Sequence, residues 1–113
     1  MTLTEIKNIL ECEVLNGDSL DDAEIKTVCG CDLMSDVLSY VKPNALLLTG
    51  LIQPQTIRTA EIVDIKTICF VRGKRPDEAT MKLAKKKGIR LLVTHSAMFE
   101  SCGKLYQEGL QGC

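Results

Sequence analysis

Three short runs of almost unbroken apolar residues recur at regular intervals along the second half of the chain: Ala45-Leu46-Leu47-Leu48-Thr49, Thr67-Ile68-Cys69-Phe70-Val71 and Ile89-Arg90-Leu91-Leu92-Val93. Runs of this length without polar alternation predict strands covered on both faces. The first is bounded by Pro43 and Gly50, which punctuate it sharply. Between the runs the period changes to that of a helix. Thr56 to Val63 carries Ile57, Ala60, Ile62 and Val63 as an apolar stripe closed by Asp64 to Lys66. Asp77 opens a second helix with Ala79, Met81, Leu83 and Ala84 inward, ending in Lys85 to Lys87 and Gly88. After the last run, Ser96 is expected to cap a closing helix with Met98, Phe99, Cys102, Leu105 and Tyr106 on one side, and Gly109 to Cys113 to fray.

The first half is less regular. Thr2 or Thr4 caps a predicted helix that carries Ile6, Ile9 and Leu10 on one face and ends near residue 11. Glu13-Val14-Leu15 reads as a short strand, Asn16-Gly17-Asp18 as a turn and Leu20 to Glu24 as polar linker. From Glu24, the residues Ile25, Val28, Cys29 and Cys31 predict a strand ending at Asp32. Ser35 and Asp36 then open a short helix with Val37, Leu38 and Val41 inward, stopped by Lys42-Pro43-Asn44. Strand, helix, strand, helix, strand, helix with short links is the order of an α/β fold, a single small domain with a mainly parallel sheet and helices on its faces.

At 113 residues the chain has the length of one domain, and 45% apolar and 26% charged residues are ordinary globular values. One domain over residues 1–113 is therefore expected. Fourteen Lys plus Arg against fifteen Asp plus Glu leave a net charge of −1, so no basic field attracts a nucleic-acid backbone. Phe70, Phe99, Tyr40 and Tyr106 are the only aromatics, too few for a base-stacking platform. No apolar segment approaches the roughly 20 residues that span a bilayer, and the start of the chain lacks the pattern of a secretion signal. The expectation is a cytoplasmic protein without a nucleic-acid or membrane partner. Under that expectation Cys12, Cys29, Cys31, Cys69, Cys102 and Cys113 are reduced thiols acting as small apolar residues.

In parallel sheets, ligands collect at the carboxyl ends of the strands, where loops and helix N-termini converge. Three loops qualify here: Thr49-Gly50, Arg72-Gly73-Lys74-Arg75 and Thr94-His95-Ser96. A glycine that admits a ligand close to the backbone, fixed cations, and hydroxyls beside a helix start make a candidate phosphate or carboxylate site. The plainer reading is that Gly50 and Gly73 make turns and that Arg72, Lys74 and Arg75 form a solvated loop. Neither a Gly-x-x-x-x-Gly-Lys-Ser/Thr run nor a Gly-x-Gly-x-x-Gly fingerprint is present. His95, the single histidine, could serve as base, ligand or polar cap, but no nucleophile and orienting acid can be named beside it. Cys29-Gly30-Cys31 puts two sulfurs on one face of a strand. A metal or iron–sulfur cluster there would need further thiols, such as Cys12 with Cys69 or Cys102, brought in by folding.

The order of these segments over residues 24–108 resembles the DRTGG domain, a small α/β module found alone and attached to other proteins. The resemblance is carried by Asp32-Leu33-Met34, Leu46-Leu47-Leu48-Thr49-Gly50, Ala60, Val71-Arg72-Gly73, Pro76, and Leu91-Leu92-Val93-Thr94 leading to Phe99. The Gly-Asp-Arg turn of the family is Gly50-Leu51-Ile52 in this chain, and its Thr-Gly-Gly turn is Arg72-Gly73-Lys74. The resemblance implies a fold similar to the amino-terminal domain of HPr kinase and to segments of phosphate acetyltransferases and CBS-domain pyrophosphatases. It implies a noncatalytic, ligand-sensing or interaction module that forms homodimers, with an adenine nucleotide or another small anion as ligand. The candidate ligand-binding residues are Asp32, Thr49, Gly50, Arg72, Gly73, Lys74, Thr94, His95 and Ser96, with no catalytic residue. The alternative expectation is a cysteine-dependent accessory protein, in which Cys29 and Cys31 bind metal or serve a metabolic or redox enzyme.

Overall fold

Residues 1–16 and 23–113 are described by the computed structural model. In chain order they form α1 (Leu3–Leu10), β1 (Glu13–Val14), β2 (Thr27–Gly30), α2 (Met34–Tyr40), β3 (Leu46–Thr49), α3 (Pro54–Ile62), β4 (Thr67–Phe70), α4 (Glu78–Lys86), β5 (Arg90–Val93), α5 (Met98–Gln107) and β6 (Gln111–Gly112). The strands make one sheet in the order β1-β5-β4-β3-β2-β6, antiparallel only where β1 meets β5. The three apolar runs are its centre, as their patterning predicts.

Register explains why both faces of those strands are apolar. Leu47, Ile68 and Leu91 stand opposite one another, as do Leu48, Cys69 and Leu92 one residue further on. Because successive side chains alternate in direction, the two rows face opposite layers. The first row packs with Met34 and Val37 of α2, Ile57 and Ala60 of α3 and Ala84 of α4. The second packs with Leu3, Ile6 and Leu10 of α1 and Leu105 of α5. The six leucine, isoleucine and cysteine side chains of the two rows are fully buried, so the sheet is the middle layer of three.

Helix positions follow the sequence reading, with corrections of detail. Thr2 caps α1 through a full capping box with Glu5, and Gly88 lies just past α4. Leu38, Ile62, Phe99 and Tyr106 are exposed instead of inward. In α2 the buried stripe is Met34 and Val37, which leaves Leu38 on the flank, and in α5 it is Ser101 and Leu105, which turns Phe99 outward. Ala79 is exposed as well. Ala97, in extended conformation, takes the N-cap position of α5 that was expected of Ser96. β2 ends at Gly30, before Asp32, and the tail expected to fray instead supplies β6, which pairs with the outer edge of β2. Of the turn expected at Asn16-Gly17-Asp18 and the linker expected from Leu20 to Glu24, only Asn16, Ala23 and Glu24 fall within the described residues, and Glu24 bridges to Thr2. Among the described residues no helix is long and apolar enough to cross a membrane.

Candidate functional site

The parallel strands all end on one side, and the helices that leave them determine where that side is open. α2, α3 and α4 pack on one face, whereas α5 leaves β5 for the other. The chain therefore diverges between the ends of β4 and β5, which is the place where parallel sheets present a crevice.

That crevice is floored by backbone. Arg72 and Gly73 both have left-handed conformations, with φ of 59° and 67°. This bend directs the Arg72 N–H to the Ser96 carbonyl at 2.9 Å and the Gly73 N–H to the Thr94 carbonyl at 2.8 Å. A side chain at position 73 would place its Cβ 2.7 Å from Nδ1 of His95, so the imidazole occupies the room that glycine leaves. Arg72, Gly73, His95 and Ser96 thus form one group, and the Ser96 hydroxyl accepts from Lys104 Nζ at 3.4 Å.

A second group lies over the ends of β2 and β3. Oδ1 of Asp32 accepts the Thr49 hydroxyl at 2.9 Å and the Gly50 N–H at 2.7 Å. The Thr49 oxygen accepts in turn from Leu51 N–H at 3.1 Å. In front of Gly50, both Asp32 carboxylate oxygens and Nζ of Lys74 are 3.7 Å from where a Cβ would be. Lys74 therefore reaches from the β4 loop to the β3 loop and joins the two groups.

Seven of the nine candidate residues contribute to this surface: Thr49 is fully buried, and Thr94 does not reach it. Its side chain is buried, its hydroxyl donates to the Leu10 carbonyl at 2.6 Å, and it accepts from Ser96 N–H. Thr94 fastens the β5 loop to the end of α1. Arg75, named with the same loop, is neutralised by Glu13 of β1. Neither Arg72 nor Lys74 makes a salt bridge among the described residues. Sequence reasoning missed Lys104, Leu10 and Glu13. Each comes from an element distant in the chain, and no local motif marks it.

The cysteines divide between the layers. Cys29 is buried beside Val37 and Leu47, and Cys31 packs half-buried against the same cluster, as two strand positions on one face should. Burial, then the neighbouring Cys113 thiol, pushes the Cys29 thiol well above its ordinary range. Among the described residues no three His, Cys, Asp or Glu side chains are placed to hold a metal ion. Two hollows lie away from the loops. One, of about 440 Å³, runs between α5 and the β2–β6 edge beside Phe99 and Tyr106, and the other, of about 400 Å³, lies at the opposite ends of the strands near Lys66 and Arg90.

Fold and surface together define a small three-layer α/β module that carries Arg72 and Lys74, together with Asp32, His95 and Ser96, at the carboxyl end of its sheet. The sequence matches the DRTGG domain over residues 5–107, and the chain belongs to that family. The match begins well before the segments from residue 24 that carry the resemblance. No curated protein sequence matches the chain. Among solved structures it is similar to the CBS and DRTGG domains of the regulatory region of Clostridium perfringens pyrophosphatase, crystallised with its activator diadenosine tetraphosphate. The TM-score is 0.72 at 16% identity, over 94% of this chain and 46% of that one. The chain thus spans under half the length of that regulatory region, and the likeness is one of fold.

Proposed function

We propose that this chain is a noncatalytic regulatory module that senses a small anion, specifically an adenine nucleotide, on the loops following β2, β3, β4 and β5. The observation that carries the reading is the placement of Lys74 and Arg72. Among the described residues neither cation makes a salt bridge, and both stand on a loop whose backbone is fixed by hydrogen bonds to the β5 loop. Phosphate oxygens are recognised by cationic side chains of this kind through charge-assisted hydrogen bonds. The nucleotide activator of the solved pyrophosphatase region supports the choice of ligand. The same reading makes the protein a cytoplasmic homodimer, with exposed Leu33, Tyr40, Phe99 and Tyr106 as available apolar surface.

The test is isothermal titration calorimetry with ATP, AMP, diadenosine tetraphosphate and inorganic phosphate. Saturable binding is expected, weakened about tenfold or more in Lys74→Ala and in Arg72→Ala, the scale of one lost charge-assisted hydrogen bond. Binding that is unaltered in both variants would refute the assignment of the site, and heat-silent titrations with all four ligands would refute anion sensing. Light scattering of the same samples tests the dimer, for which a monomer mass is the contrary result.

A further inference from the structure

Cys12 and Cys69 are 57 positions apart in the chain, yet their sulfurs lie 3.6 Å apart in the layer beneath α1. Cys69 is fully enclosed, while Cys12 retains 9% of its exposure. A disulfide requires the sulfurs to approach by only about another 1.5 Å. The two residues belong to the segments that hold the candidate site. Cys12 lies between Leu10, whose carbonyl anchors Thr94, and Glu13, which pairs with Arg75. Cys69 is in β4, two residues before Val71 leads into Arg72-Gly73-Lys74.

We propose that Cys12 and Cys69 form a reversible dithiol–disulfide pair, oxidised by low-molecular-weight disulfides, and that its state alters the loops following β4 and β5. The chemistry stands without the ligand-sensing reading; only a consequence for ligand binding would rest on it. Oxidation begins when the Cys12 thiolate attacks one sulfur of a small disulfide such as oxidised glutathione. A mixed disulfide forms on Cys12 and one small thiolate leaves. Cys69 then loses its proton and attacks the Cys12 sulfur, forming the internal bond and expelling the second small thiolate. Two protein thiols are oxidised, one small disulfide is reduced to two thiols, and excess small thiol drives the reverse.

The order of attack follows from the surroundings. Cys12 is the more accessible sulfur, and a hydrogen bond from Cys69 holds its thiol below the ordinary range against the opposing effect of burial. The same contact, reinforced by burial, pushes Cys69 up, so it is the slower, resolving partner. Closing a 57-position loop restricts the unfolded chain, which raises thermal stability.

The test uses the wild-type chain, so it does not depend on a variant folding. Reduced protein is incubated with oxidised glutathione, blocked with N-ethylmaleimide under denaturing conditions and digested without reduction for mass spectrometry. The expected result is a linked Cys12–Cys69 peptide pair, two hydrogens lighter, that dithiothreitol abolishes. Its formation is expected to raise Tm by several degrees and to shift the amide resonances of Gly73 and Thr94 in the absence of ligand. Recovery of both cysteines as alkylated thiols, while exposed Cys113 has taken up glutathione, would overturn the proposal. A cross-link that leaves the Gly73 and Thr94 resonances in place would overturn the coupling to the loops.

Discussion

At the residue scale, the loop after β4 depends on two consecutive left-handed residues, and only the second is glycine. Arg72 accepts a conformation that costs an L residue about 1–2 kcal/mol, because the bend gives the N–H groups of Arg72 and Gly73 carbonyl partners on the β5 loop. Gly73 has a second constraint, since the His95 ring stands where a Cβ would project. Gly73→Ala is therefore expected to destabilise the protein by about 1–3 kcal/mol, from left-handed strain plus displacement of the imidazole. In Gly73→Ala/His95→Ala the steric part disappears, so the double variant should be more stable than the two single effects sum to. Strict additivity in denaturant unfolding would show that the ring does not occupy that space. Gly73 and His95 both stand out in the sequence, one as a turn glycine after a strand and the other as the single histidine. Their contact is not legible there, because it arises across neighbouring parallel strands. Thr94 shows the opposite limit: a hydroxyl beside a helix start suggests a ligand, but its partner is the Leu10 carbonyl, 84 positions away.

At the element scale, α4 stands directly after the candidate loop, and its first turn is secured by Asp77, which accepts the Thr80 N–H at 2.8 Å. That hydrogen bond holds the Asp77 carboxyl below its ordinary range. A carboxyl depressed in the folded state contributes stability that is present above the unfolded-state range and is lost as pH falls through the folded one. Asp77→Ala should therefore lower Tm near neutral pH, and the gap from wild type should close as pH falls below about 4. A gap that is constant from pH 7 to pH 3 would mean that the cap does not depend on the ionised carboxylate. The central strands β3, β4 and β5 were legible because burial on both faces leaves an unmistakable run of apolar residues. β6 was not, since a two-residue strand of Gln111 and Gly112 carries no pattern and is determined by the unpaired edge of β2. Helix faces were legible only to within the flanking residues. In these helices of seven to ten residues Leu38 is one position from the buried Val37, whereas Phe99, two positions before the buried Ser101, falls on the far side of α5.

At the scale of the whole molecule, the position of the site is a property of topology. Alternating apolar runs and helical stretches suffice to predict a parallel sheet and hence a functional end. They do not show that α5 crosses to the face opposite α4, and that divergence opens the sheet between β4 and β5. Nor do they show that Lys74 reaches across to Gly50 and Asp32, which converts three separate loops into one surface. Two hollows lie elsewhere, one along α5 and one at the opposite end of the strands, so ligand location separates this surface from its competitors. The most direct test is a two-dimensional ¹H–¹⁵N NMR titration of the wild-type protein with ATP. Perturbation concentrated at Gly50, Arg72, Gly73, Lys74, His95 and Ser96 is the expected result. Perturbation along Phe99, Gly103 and Tyr106, around Lys66 and Arg90, or nowhere at all would contradict it.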